Sequence, residues 1–135
     1  MRPLERVPAV RRIETDHPTA FAIDLAGEFT GADAENLFGL LEGAYAISER
    51  LDLLVRTAML EAIDVGDFDG ETKQQLRDHL DNHVGRIAIV DDGEWADAIE
   101  RLLKPDGTIE VRRFDMRREG DAWAWIGAQA VPEDI

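Results

Sequence analysis

Residues 85–105, GRIAIVDDGEWADAIERLLKP, decide the fold. Ile87-Ala88-Ile89-Val90 is a continuous apolar run of the length and β-branched character expected of a strand buried on both faces. Asp91-Asp92-Gly93 breaks it with a sharp acidic turn. From Glu94 to Lys104, Trp95, Ala98, Ile99 and Leu102 recur on one helical face, with Trp95 in the first turn and Pro105 as the stop. A buried strand feeding such a helix is one half of a βαβ unit.

The segments on either side complete the pattern. Upstream, Leu53-Leu54-Val55 gives a second central strand starting at Leu51, whose end is open because MLEAID fits either a continuation or a helical turn. The loop DVGDFDG follows over 64–70, then a polar helix from Glu71 to about His83 with a thin stripe of Leu76 and Leu80. Downstream, residues 108–114 alternate as a strand, and Ala122, Trp123 and Ile126 mark a last short helix near 119–127. At the start, residues 9–14 and 19–25 read as a hairpin around Asp16-His17-Pro18, its second strand broken by Gly27. Thr30 is a suitable N-cap for a helix to about Ser48, with Leu37, Phe38, Leu41, Ala44 and Tyr45 on one face. Within that helix Gly39 and Gly43 suggest close packing on the sheet, or a homodimer contact. The order β-β-α-β-α-β-α-β-α predicts an α/β fold: a four- to five-stranded, mostly parallel sheet with an N-terminal hairpin and four helices.

Its 135 residues fit one domain, with an ordered core over about 10–127 and flexible ends. The absence of cysteine excludes disulfides and thiolate metal sites and fits a cytoplasmic location. No run approaches the roughly 20 apolar residues that span a bilayer. The opening MRPLERVPAVRR lacks the apolar core of a signal peptide. A net charge of −14, from 15 basic and 29 acidic side chains, repels nucleic-acid phosphates and disfavours contact with anionic membranes.

RIAIVDDGEWADAIERLLKP, then IEVRRFD and the AWAWI helix, resemble the SpoIIAA-like proteins, a branch of the STAS and SEC14-like group. IDLAGEFTGADAENL resembles the strand, glycine, N-cap and first helix of a STAS domain. The resemblance covers roughly residues 10–127 and implies helices packed mainly on one side of the sheet. It also implies a regulator of protein partners or a carrier of apolar ligands. STAS regulators of the anti-sigma-antagonist kind present a phosphorylatable Ser or Thr after the central strand. Here that region reads DVGDFDGETKQQL, the chain's only serine is Ser48, and Thr72 is the nearest hydroxyl. Asp67 and Asp69 already place carboxylates where a phosphate would gain from the helix dipole, so no serine switch is expected.

Two readings of function follow. In the first, this is a non-enzymatic binding or regulatory domain that takes a small apolar ligand or a protein partner. Asp67, Phe68, Asp69, Asp91 and Trp95 would line the mouth of its cleft at the carboxyl edge of the sheet, where open α/β sheets bind ligands. In the second, the same acidic edge serves a divalent-metal-dependent enzyme, with oxygen ligands for Mg²⁺ or Ca²⁺. No cofactor motif supports the second: GxGxxG, P-loop, HExxH and GxSxG are all absent. His79 and His83 lie four apart on one helix, but spacing gives them no third ligand. We therefore expect no catalytic residues, no resident metal and no cofactor.

Overall fold

The computed structural model describes residues 9–66, 70–103 and 107–131. Five strands lie in one sheet in chain order: β1 (Val10–Ile13), β2 (Ala20–Thr30), β3 (Leu51–Asp64), β4 (Val84–Val90) and β5 (Glu110–Phe114). β1 and β2 form the antiparallel hairpin, and the β2–β3, β3–β4 and β4–β5 pairs are parallel. Four helices connect or follow them: α1 (Gly31–Ile47), α2 (Gly70–His83), α3 (Ala96–Leu103) and α4 (Glu119–Ile126). The architecture is the α/β one the pattern predicts. Among the described residues no helix is long and apolar enough to cross a membrane.

Strand alternation sorts the core into two layers. Phe21, Ile23, Leu53, Val55, Ile87 and Ile89 face α1, α2 and α3, meeting Leu37, Leu41, Leu76, Leu80, Ile99 and Leu102. The intervening Ala20, Ala22, Leu54, Ala88 and Val90 face α4 and pack on Ala122, Trp123 and Ile126. Small residues dominate the sheet's side of that second layer, which lets α4 lie close. Three helices thus cover one face and one covers the other.

Several local expectations are corrected. Gly27 does not end β2; the strand runs on to Thr30, with Gly27 in the left-handed region at φ 63. Pairing explains it. Ala26 and Gly27 sit opposite Met59 and Leu60, while Asp24 sits opposite Arg56 and Glu28 opposite Ala62. β3 therefore carries an extra residue at each of two bulges, which bends the β2–β3 pair, and Gly27 supplies the conformation that the second one needs. Gly27→Ala meets no clash at Cβ but forces an L-residue to positive φ. Urea denaturation should show a loss of about 1 kcal/mol with the m value unchanged.

MLEAID is the continuation of β3, which reaches Asp64. Gly39 and Gly43 lie on the exposed side of α1, not against the sheet. Trp95 precedes α3, its carbonyl accepting from the Ile99 N–H at 3.0 Å. The chain beyond Gly127, expected to be loose, is held as far as Val131. Ala128 is buried, Thr15 and Ala130 form a bridge, and Val131 N–H donates to the Glu14 carbonyl at 2.8 Å.

Candidate functional site

The strands deliver several charged residues to the carboxyl edge of the sheet. Asp91 directly follows β4 and is only 5% exposed. Its Oδ1 accepts from the Thr57 hydroxyl at 2.7 Å. Its Oδ2 accepts from the backbone N–H groups of Gly93 at 2.8 Å and of Trp95 and Ala96 at 3.0 Å each. The Ala96 N–H opens α3 and the other two belong to the turn just before it, so Asp91 caps the helix from five residues upstream and balances the positive end of its dipole. A carboxylate with four donors around it has few lone pairs left for a metal ion. Among the described residues, no group of three or more His, Asp or Glu side chains is arranged to hold one.

Sequence-predicted site residues separate into three groups. Asp67, Phe68 and Asp69 lie outside the described residues. Asp91 is a buried cap, and Trp95 is half-buried against the three-helix face of the core. β3 and β4 are parallel, so their ends at Asp64 and Val90 point toward the same edge of the sheet. β4, however, ends with Val90 opposite Arg56, whereas β3 continues to Asp64. At about 3.3 Å per residue, Asp64 is roughly 20 Å farther along the strand than Asp91.

What occupies the edge on the α4 side is an ion cluster that the sequence reading misses. Arg56 Nε lies 3.3 Å from Asp24 Oδ1, and Arg56 Nη1 lies 2.9 Å from Glu119 Oε2. The same Glu119 oxygen accepts from the Trp123 indole N–H at 3.0 Å. Partial burial works against the Arg56 charge, but hydrogen bonds to Asp24 and Glu119 outweigh it and raise the guanidinium pKa. Asp24 and Arg56 are directly paired across β2 and β3. The cluster joins two strands to the first turn of α4.

On the opposite face, the bend of β3 closes over the helices. Ile63 comes back to meet Leu37 of α1 and Ile99 and Leu102 of α3, enclosing an all-apolar pocket against β2 and β3. Its cavity is about 10 Å³, the room of about one water. Outside it, Ile63 and Leu102 also line an open groove of about 250 Å³, between the end of β3, α2 and α3. Val65 and Ala98 add to the apolar floor, and Lys73, Arg77 and Arg101 are its charged side chains. Arg77 is fixed there: it donates to the carbonyls of Arg101 at 3.0 Å and Leu102 at 3.2 Å, at the negative end of α3. In a chain of net charge −14, every charge lining the groove among the described residues is positive. Lys73 and Arg77 at i, i+4 on α2 are the one sign of it in the sequence; Arg101 joins them only through folding.

The histidines form a different feature. His83 stacks on Tyr45 with ring centroids 4.4 Å apart, and His79 packs on Phe38 at 5.5 Å. His79 Nδ1 lies 3.3 Å from Glu42, and His83 Nδ1 lies 2.8 Å from the Glu49 carbonyl. They edge the core between α1 and α2. Burial, reinforced by Glu42, raises the Tyr45 pKa above its ordinary 10.0. Below pH 10 the phenol is neutral in both folded and unfolded chains and contributes no pH dependence. Above it, the unfolded chain loses the proton first, so stability falls as pH rises toward the folded pKa. Tyr45 is the chain's one tyrosine, so absorbance at 295 nm reads it alone. Its titration should start later in the native protein than in urea, and Tyr45→Phe should flatten the alkaline fall in stability.

The SpoIIAA-like family model matches residues 20–127. No curated protein matches the chain. Among solved structures, the chain is similar to an uncharacterised protein of the DUF3478 family with a SpoIIAA-like fold from Shewanella loihica PV-4. The two share 18% identity and a TM-score of 0.59, over 93% of this chain and 99% of that one. At that identity the likeness is one of fold.

Proposed function

The chain belongs to the SpoIIAA-like family, and from that premise we propose that it is a non-enzymatic binding domain whose partner docks in the groove between β3, α2 and α3. The observation that carries the reading is the groove's lining: an apolar floor of Ile63, Val65 and Leu102 under Lys73, Arg77 and Arg101. Such a surface favours a partner that combines apolar and anionic groups. The enclosed pocket next to it has room for about one water, which favours a partner on the open surface over a small apolar ligand swallowed whole. Engagement of Asp91 by four hydrogen bonds supports a structural use of that acid over a catalytic one.

The dye 8-anilinonaphthalene-1-sulfonate, apolar and anionic, is a direct probe. We expect saturable binding at one site, weakened by 0.5 M salt and lowered at least tenfold in the Lys73→Glu/Arg101→Glu double variant. Equal binding by the double variant, or no binding by the parent, would overturn the reading. Native mass spectrometry of the freshly purified protein reports in the same preparation whether a small molecule or a second copy accompanies it.

A further inference from the structure

β3 is longer than the strand beside it. β4 stops at Val90, opposite Arg56, and beyond that point β3 is paired only on its β2 side. From about Ala58 to Asp64, its other edge has no strand partner among the described residues. Seven residues at about 3.3 Å each give an edge roughly 20 Å long. Its backbone N–H and C=O groups are regular over 59–60 and 62–64, with the bulge at Glu61 between them, and are open to an added strand. Met59 is 67% exposed and Ala58 is exposed. Neither proline nor lysine occurs between 58 and 64; the guards this edge carries are the bulge at Glu61 and the acids Glu61 and Asp64.

The edge ends at the basic groove. Ile63 and Val65, at the tip of β3, are themselves part of its floor, with Lys73, Arg77 and Arg101 beyond. A strand laid along β3 would therefore present one set of alternate side chains to those cations.

We infer that the free edge of β3 is a strand-addition site for an extended segment of a partner protein, acidic on the face toward the groove. This rests on the groove reading above and goes further, by naming the kind of partner and the way it binds. Main-chain pairing would supply affinity, and the Lys73, Arg77 and Arg101 charges would select the segment.

The test is a titration of the ¹⁵N-labelled full chain with an end-blocked nine-residue peptide of alternating Glu and Val, in low salt. Expected are saturable amide shifts over 58–64 and along α3, with slowed hydrogen exchange at alternate residues of 58–64. A peptide of alternating Lys and Val should bind at least tenfold more weakly. Two analogues N-methylated on either alternate set complete the experiment, because a strand hydrogen-bonds to its neighbour through one set alone. One analogue should lose at least tenfold in affinity and the other should keep it. If both analogues bind like the parent peptide, strand addition is wrong. Equal binding of the lysine peptide removes the acidic partner. Absence of peptide binding while the anilinonaphthalene dye still binds overturns this inference and leaves the groove reading standing. Failure of both probes overturns both.

Discussion

Asp91→Ala should lower the unfolding free energy by about 3–4 kcal/mol in urea denaturation at neutral pH. The carboxylate is 5% exposed and accepts four hydrogen bonds. Each bond to a charged acceptor contributes about 1.5–3 kcal/mol taken singly, but they share one group and do not add. Truncation strands the Ala96 N–H in buried surroundings, whereas the Thr57 hydroxyl can turn to the Val90 carbonyl, 3.2 Å away, and exposed Gly93 regains water. Loss of the cap also leaves the start of α3 without its negative charge. Asp91→Asn keeps one acceptor oxygen and loses the charge, so its cost should be smaller, about 1–2 kcal/mol. An alanine variant within 1 kcal/mol of the parent, at the same m value, would mean that Asp91 is not what holds the β4–α3 turn.

Arg56→Met should cost about 2–3 kcal/mol, and most of it should return when Asp24 is replaced as well. Breaking a fully buried ion pair from one side costs about 3–5 kcal/mol, because the remaining charge stays desolvated. Here the side chains of Arg56 and Asp24 keep 27% and 12% of their exposure, so water screens part of the loss. Glu119, at 30%, can be solvated and keeps its bond from Trp123. The Asp24→Asn/Arg56→Met double variant removes both charges from the β2–β3 pair. Its stability should come within about 1 kcal/mol of the parent, as a double-mutant cycle would show. A double variant no better than Arg56→Met alone would mean that lost packing of the arginine stem, not the stranded carboxylate, sets the cost.

Both residues illustrate what one sequence discloses. The α/β order was legible because it rests on local periods, such as Phe21, Ile23 and Leu25 in β2 or Ile99, Leu102 and Leu103 in α3. The end of β3 was not. Met59, Leu60, Glu61 and Ala62 are good helix formers, and pairing with β2 overrides that preference. Gly27 reads equally as a break or a bulge until the partner strand supplies the extra residues. The ion cluster spans Asp24 to Glu119, too far for spacing to reveal. Its one trace is that Asp24 and Arg56 each interrupt an apolar strand with charges of opposite sign. Asp91 stood out as an acid at the carboxyl edge, but whether its oxygens face a ligand or its own chain depends on Thr57, 34 residues away. The groove was hidden by the overall charge, which averages away three cations gathered from two helices.

The fastening of Val131 to Glu14 also dictates how the molecule gives way under tension. Its partner bond runs from the Asp16 N–H to the Gln129 carbonyl, so the two segments run antiparallel and leave the junction on the same side. Pulling them apart loads these bonds one after the other, like a zip, instead of shearing both together. The first piece to peel away would be the flap over α4, baring Ala128 and Trp123 while the parallel strands stay knitted.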